Sequence, residues 1–182
     1  MTMRNAVLAF VTTLATAAPA FAQTAAPAPS RWPALEVAFG FNGPQASTAE
    51  FPGLTASLAV LVPVKPRFGL GVVAEGDASY TRLSRTAGVR VYSRAENVTV
   101  FAQLLAGDAR ATDQGIIHAT GGRQIQPGAG VSIGWWKVTI FLEGDYRHVS
   151  GGAADTNTRT NEVKSWSGGR FVTGVVFRLR RW

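Results

Sequence analysis

The chain has 182 residues, with 18 lysines and arginines against 11 aspartates and glutamates, and it contains no cysteine. The lack of cysteine excludes disulfides and thiolate metal sites, so strand pairing and packing must stabilise the fold. The positive charge is scattered along the chain without a basic helix or an aromatic platform, so nucleic-acid binding is not predicted.

Residues 1–22 have the pattern of a cleavable secretory signal. A basic start at Arg4 precedes an apolar run, and the small residues Ala20 and Ala22 flank Phe21 as in a cleavage site. The apolar run is shorter than the roughly 20 residues that a spanning helix requires. Residues 23–33 are rich in alanine and proline and are predicted to be a short lead-in. Residues 34–182 then form one exported domain.

Eight strands are predicted in this domain from a period of two in the apolar residues. The pattern is clearest where Val131 and Ile133 interleave with Ser132 and Gly134. Most of these strands have one apolar face and one small or charged face. In an exported chain this pattern favours a closed antiparallel up-and-down transmembrane barrel with its apolar face toward lipid. The predicted strands cover residues 34–42, 54–64, 68–81, 86–93, 98–109, 125–135, 138–148 and 170–180. Four large apolar residues fall on the nominal inside: Leu61, Phe101, Leu105 and Phe141.

The lengths of the links between the predicted strands support the same architecture. The links after even-numbered strands are short, whereas those after the first, fifth and seventh strands are long. Outer-membrane barrels have short periplasmic turns and longer outer loops. The predicted outer loops cover residues 43–53, 110–124 and 149–169. The link near Arg82 to Arg85 is an exception, since it is predicted to be an outer loop but is short.

The last predicted strand ends in TGVVFRL, which resembles the glycine-x-x-aromatic-x-hydrophobic assembly signal of outer-membrane proteins. The residues that carry the signal are Gly174, Phe177 and Leu179, with Trp182 as an alternative final aromatic. From about Leu54 to Leu179, in stretches such as QPGAGVSIGWW and FVTGVVFRL, the chain resembles small outer-membrane β-barrel proteins of the OmpA-like superfamily.

That resemblance implies an eight-stranded barrel in the bacterial outer membrane. We therefore expect a monomer that meets outer-membrane lipid and lipopolysaccharide and meets the barrel-assembly machinery during insertion. No cofactor and no metal are expected.

Charged residues on the inward face are predicted to form a connected network, because an unpaired charge in a narrow interior is costly. A tight turn at residues 82–85 would place Asp77 opposite Arg90. A hairpin at residues 136–137 would place Gly130 opposite Glu143 and Gly128 opposite Asp145, where the small residues leave room for the carboxylates. The predicted network comprises Glu36, Glu75, Asp77, Arg90, Glu143, Asp145, Arg147, Arg178 and Arg180. A plug of salt bridges is favoured over a gated polar path.

One constellation suggests chemistry instead. His148 and Ser150, with Glu162 further on, resemble the His-x-Ser and later glutamate of outer-membrane lipid A 3-O-deacylases. The resemblance implies Ser150 as nucleophile, His148 as base and Glu162 as orienting acid. Gly151 departs from that family, which has asparagine directly after the serine.

The favoured interpretation is a barrel with a charge-filled interior and a structural or surface-interaction role. An eight-stranded barrel is filled by its own side chains, which disfavours a general diffusion porin. Two alternatives stay open. One is the lipid A hydrolase, and the other is a soluble periplasmic β-sandwich or lipocalin-like binder, which would need an apolar interior and a polar exterior.

Overall fold

The computed structural model of the chain describes residues 33–43, 52–79, 82–113, 116–135, 138–150 and 166–179. They form eight antiparallel strands that close into a barrel in which each strand pairs with its sequence neighbours and β1 pairs with β8. The predicted barrel is therefore confirmed, and the sandwich alternative is wrong. The strands are β1 (Ala34–Asn42), β2 (Gly53–Lys65), β3 (Phe68–Ser79), β4 (Arg82–Ala95), β5 (Val98–Asp113), β6 (Ile116–Trp135), β7 (Val138–Ser150) and β8 (Trp166–Arg178).

The segment predicted as a signal peptide lies outside the described residues, as does the lead-in up to residue 32. Among the residues that are described, no helix is long and apolar enough to cross a membrane.

Strict alternation sorts the side chains of each strand into an inner and an outer set. In β7, Ile140 and Leu142 point outward and are about half exposed, whereas Glu143 and Asp145 point inward and are buried. Successive side chains of a strand point to opposite faces, so a local period of two suffices for this sorting. The four large apolar residues on the nominal inside are indeed buried within the barrel.

The two ends of the barrel differ in their links. At one end, the turn end, short links at residues 66–67, 96–97 and 136–137 join the strands, and β1 begins and β8 finishes there. At the other, the loop end, links run over residues 43–52, 80–81, 114–115 and 151–165. Most of the predicted loops 43–53 and 149–169 falls outside the described residues, which lack 44–51 and 151–165.

Two predicted links at the loop end are wrong. The predicted loop at 110–124 is largely a continuation of β5 and β6, which pair as far as Asp113 and Ile116 across a register shift after Arg110. The predicted link near residues 82–85 is part of β4, since β3 runs to Ser79 and β4 begins at Arg82. The Arg82 backbone N–H donates to the Ser79 hydroxyl at 3.1 Å, which stabilises this tighter turn.

The interior has two regions of different chemistry. The half toward the loop end contains most of the buried charges, around Asp77 and Arg147. The half toward the turn end contains two apolar clusters. Their large members are Leu61, Val73, Tyr92, Phe101, Leu105, Phe141, Val172 and Val176.

Candidate functional site

The centre of the loop-end half is an ion cluster of two arginines and three carboxylates. Arg147 donates to Asp77 at 2.6 Å and lies within 3.8 Å of Glu75 and 3.6 Å of Asp145. Arg170 donates to Glu75 at 2.7 Å and to Asp145 at 2.8 Å, and lies 3.4 Å from Asp77. All five side chains are buried, so each guanidinium is shared among three carboxylates instead of being solvated.

Neutral polar side chains complete this ion cluster. Asn42 donates to Asp77, and the hydroxyl of Thr55 donates to the same carboxylate at 3.2 Å. The amide of Gln126 donates to Glu75 at 3.0 Å and in turn accepts from Gln124 at 2.7 Å. These bonds add to the arginine contacts on Asp77 and Glu75 and link the cluster into one buried polar network. Within the described residues, Asp145 Oδ1 and the Nε and Nη2 atoms of Arg147 have no hydrogen-bond partner, and only the longer ion pairs engage them.

A second ionic layer lies nearer the middle of the barrel. The guanidinium of Arg90 donates to the side-chain oxygen Oε1 of Gln103 at 2.6 and 2.9 Å, and the side-chain amide nitrogen of Gln103 donates to Glu143 at 2.6 Å. The same guanidinium lies 4.2 Å above the ring of Phe101, a cation–π geometry. Gln103 therefore connects the two charges, and Phe101 begins the apolar region.

A third pair lies toward the turn end. The Arg178 guanidinium donates to Glu36 at 2.6 Å and to the Thr99 hydroxyl at 3.5 Å. Arg180, which is also predicted to belong to the network, lies outside the described residues. Every other member of the predicted network is in the barrel interior.

The predicted juxtaposition of Asp77 and Arg90 is wrong. Because the turn between β3 and β4 falls at residues 80–81, Asp77 pairs with Ser84, and Arg90 pairs with Gly71. Asp77 and Arg90 therefore lie in different layers, and Asp77 contacts Arg147 instead. The other register prediction is confirmed, since Gly130 pairs with Glu143 and Gly128 with Asp145.

Arg170 is the central residue that the sequence prediction missed. The last predicted strand begins at this residue, whereas in the structure β8 begins at Trp166 and Arg170 is buried. The alternation of side chains along the strand identifies it. Arg170 is eight residues before Arg178, an even number, so the two side chains point to the same face, and Arg178 is predicted to point inward.

The described part of the interior is closely packed around Arg90, Phe101 and Glu143. A cavity between these three residues has a volume of about 20 Å³, room for about one water molecule. No group of three or more acidic, histidine or cysteine side chains within the described strands could hold a metal ion. The ion cluster holds its charges in place through the contacts of Arg147 and Arg170 with the three carboxylates.

The predicted assembly signal lies at the seam where β8 closes on β1. Gly174 pairs with Gly40, and a Cβ at position 174 would lie 2.0 Å from the Phe39 carbonyl oxygen, so glycine is required for this close approach. Phe177 and Leu179 point outward and are exposed. Trp182 lies outside the described residues, and the role of this motif in assembly stays a prediction.

The alternative catalytic residues lie on the outer wall near the loop end. His148 and Ser150 are both exposed, two residues apart on the outward face of β7. The hydrogen bond of the His148 ring is with Ser167 on β8, at 2.7 Å from Nδ1 to Oγ. Glu162 lies outside the described residues, so the triad stays a prediction.

No protein-family model matches the chain, and no curated protein matches its sequence. Two solved structures are similar in fold. Neisserial surface protein A matches at a TM-score of 0.50 and 13% identity, over 80% of this chain and 94% of the neisserial chain. Ail, the attachment invasion locus protein of Yersinia pestis, solved in complex with the heparin analogue sucrose octasulfate, matches at a TM-score of 0.46 and 14% identity. That match covers 81% of this chain and 97% of Ail. At such identities, what this chain shares with Neisserial surface protein A is the fold of a small closed β-barrel.

Proposed function

We propose that this protein is a bacterial outer-membrane barrel whose interior is a permanent plug and whose role is structural or in interactions at the cell surface. The observation that carries the proposal is its inverted distribution of side chains. The exterior exposes large apolar residues on all eight strands, while charges are buried inside. A water-soluble protein does not expose an apolar surface of this extent, whereas a barrel in lipid requires it.

The height of the apolar surface supports the membrane location. On β5 the outward residues from Val98 to Ala106 are apolar, and on β6 those from Ile133 back to Ile125 are apolar. Each stretch covers about nine residues, which matches the 9–11 residues that a tilted strand needs to cross the hydrocarbon core. We call this band the apolar belt. Charged residues, Asp108 and Arg123, begin directly beyond it on the loop-end side.

The interior supports a plug over a channel. Arg147 and Arg170 each reach across the barrel to β3, and the cavity beside Arg90 and Glu143 in the described interior has room for about one water molecule. Barrels of eight strands are just wide enough for their side chains to fill. Surface interactions then fall to the loop end, which by its longer links is the extracellular end. The name of Neisserial surface protein A, which has the same fold, agrees with such a location.

A pair of substitutions on β7 tests the membrane location. Leu142 is 52% exposed at the middle of the apolar belt, while Ser150 is an exposed outward residue beyond it. In a membrane, Leu142→Arg should lower the free energy of unfolding by about 2–4 kcal/mol, whereas Ser150→Arg should change it by less than about 1 kcal/mol. The measurement is urea unfolding in phospholipid vesicles, followed by tryptophan fluorescence.

In a soluble protein both substitutions would be nearly neutral, because each side chain already faces water. Equal, small effects of the two substitutions, together with recovery of the protein from the soluble periplasmic fraction, would contradict the proposal. The plug is tested separately by planar-bilayer recording, in which steady conductance from the wild-type barrel would contradict a closed interior.

A further inference from the structure

Three arginines form an exposed group on the outer wall at the loop-end edge of the apolar belt. Arg85, Asp108 and Arg123 lie side by side across β4, β5 and β6, since Arg85 pairs with Asp108 and Asp108 pairs with Arg123. Arg110 is two residues further along β5, beside Leu83 of β4. All four charged side chains are exposed and point away from the interior. We call Arg85, Arg110 and Arg123 the arginine row.

The arginine row has an excess of positive charge. Asp108 is its acidic neighbour, and the ion pair between Arg85 and Asp108 is loose, at 3.7 Å with the two side chains 74% and 56% exposed. An exposed pair of this kind is weak and leaves the guanidinium available to another anion. Adjacent strands are about 4.8 Å apart, so the three guanidinium groups can converge on one anionic group. Guanidinium groups bind phosphate oxygens in a bidentate manner.

The position of the arginine row restricts the kind of anion. The next outward residues toward the belt are Ala87, Ala106 and Ile125, all apolar and exposed. The arginine row therefore begins where the apolar belt finishes, at the depth of lipid headgroups. Because the loop end is extracellular in the proposed function, these headgroups belong to the outer leaflet.

An apolar groove runs beside the arginine row on the outer wall. Its floor is made of small residues of β2 and β3, including Ala56 and Gly76, and a Cβ at Gly76 would meet no heavy atom within 4 Å. Phe39 forms one wall, and Leu83 and Arg85 form the other. The groove is open to the surroundings and has a volume of about 640 Å³. Arg85 thus lines both the groove and the arginine row.

We propose that the arginine row binds the phosphate groups of a multiply acylated, phosphorylated glycolipid of the outer leaflet, with one acyl chain in the adjoining groove. The inference deepens the proposed function and rests on it, because it requires the barrel to stand in a membrane with the loop end outward. The positive charge of the row complements the phosphates, and the apolar walls complement the chain. The ligand is held as a bound lipid.

Native mass spectrometry of the full-length protein in detergent micelles tests this binding, with bisphosphorylated lipid A as the probe. Arg110→Gln with Arg123→Gln should weaken binding about tenfold or more, since each surface arginine contributes about 1 kcal/mol toward an anionic lipid. Asp108→Asn should tighten binding, because it removes the competing carboxylate. Lys65→Gln with Arg67→Gln, which removes the same charge at the turn end, should leave binding unchanged.

Two further ligands identify the source of the phosphate. Dephosphorylated lipid A should bind at least tenfold more weakly than the bisphosphorylated lipid, and inorganic phosphate at millimolar concentration should not displace it. Gly76→Leu should fill the groove and weaken lipid binding with no change in charge. Equal binding of the phosphorylated and dephosphorylated lipids would overturn the proposal. Equal losses of binding in the loop-end double variant (Arg110→Gln with Arg123→Gln) and the turn-end double variant (Lys65→Gln with Arg67→Gln) would overturn it as well. Unchanged binding by Gly76→Leu would overturn the placement of the acyl chain.

Failure of this inference is distinguishable from failure of the proposed function. Migration on a denaturing gel that differs between unboiled and boiled samples reports a folded barrel independently of any lipid. A folded, membrane-inserted barrel without phosphate-dependent binding would overturn the lipid site alone. A protein that is soluble without detergent would overturn both.

Discussion

The two halves of the barrel interior use different means to fill the same space. The loop-end half places Arg147 and Arg170 among three carboxylates, and the polar atoms of this ion cluster depend on one another. The turn-end half packs Leu61, Phe101 and Phe141 in apolar clusters. Ionic contacts demand a specific partner for each group, while apolar contacts depend mainly on volume. We therefore expect the loop-end half to be the less tolerant of substitution.

The largest expected effect is from Arg170→Ala in the ion cluster. The change removes the ion pairs of Arg170 with Glu75 and Asp145 and leaves those carboxylates buried beside one fewer cation. Removing one partner of a buried ion pair costs about 3–5 kcal/mol. The free energy of unfolding in phospholipid vesicles, measured by urea titration, should fall by that amount.

Arg85→Ala is the matched control for that substitution. Arg85 is also paired with an aspartate, but the pair is exposed, so the loss should stay below about 1 kcal/mol. Similar losses of unfolding free energy for Arg85→Ala and Arg170→Ala would show that burial does not increase the contribution of the ion cluster to stability.

A smaller loss is expected from Phe101→Leu in the turn-end half. The Phe101 ring is buried and packs against Gly130 and beneath the guanidinium of Arg90. The shorter side chain keeps the site apolar and leaves a modest cavity, so the unfolding free energy should fall by about 1–2 kcal/mol. The same urea titration measures this loss. Phe39→Leu is the control: Phe39 is 53% exposed on the outer wall, so its replacement should change the unfolding free energy very little. A loss as large as that of Arg170→Ala would remove the contrast between the halves.

The smallest effect is expected from Glu143→Gln. Glu143 accepts its hydrogen bond from the Gln103 amide, and the glutamine can accept the same bond through its remaining carbonyl oxygen. The buried middle of the interior has one more carboxylate than arginine: Arg90, Arg147 and Arg170 against Glu75, Asp77, Glu143 and Asp145. Removing one negative charge there should leave stability unchanged or raise it by about 1 kcal/mol.

Asp145→Asn is the comparison for Glu143→Gln. It also removes one buried carboxylate charge, but that carboxylate contacts both arginines of the ion cluster. We expect it to be clearly destabilising in the same unfolding assay. Equal effects of the two substitutions would mean that the excess charge is shared by all four carboxylates.

Features that depend on residues close together in the sequence could be predicted, whereas features that depend on how separate strands pair could not. The inward placement of Asp145 and the outward placement of Leu142 follow from alternation within one strand, so they were predictable. The error for Asp77 and Arg90 came from a turn located a few residues too far along the chain, which shifted the pairing of β3 and β4. The extension of β5 and β6 was missed because the glycines at residues 121–122 resemble a loop signal.

By itself, the sequence determined that the chain forms amphipathic strands, and it determined which residues belong to each face, because a period of two is a local property. Only the tertiary structure decided which charges meet. Arg170 reaches Glu75 across 95 positions of the chain, and Arg147 reaches Asp77 across 70. Such contacts depend on the register of every hairpin and on the closure of β8 against β1, and a single shift by one residue would turn each inward side chain of a strand outward.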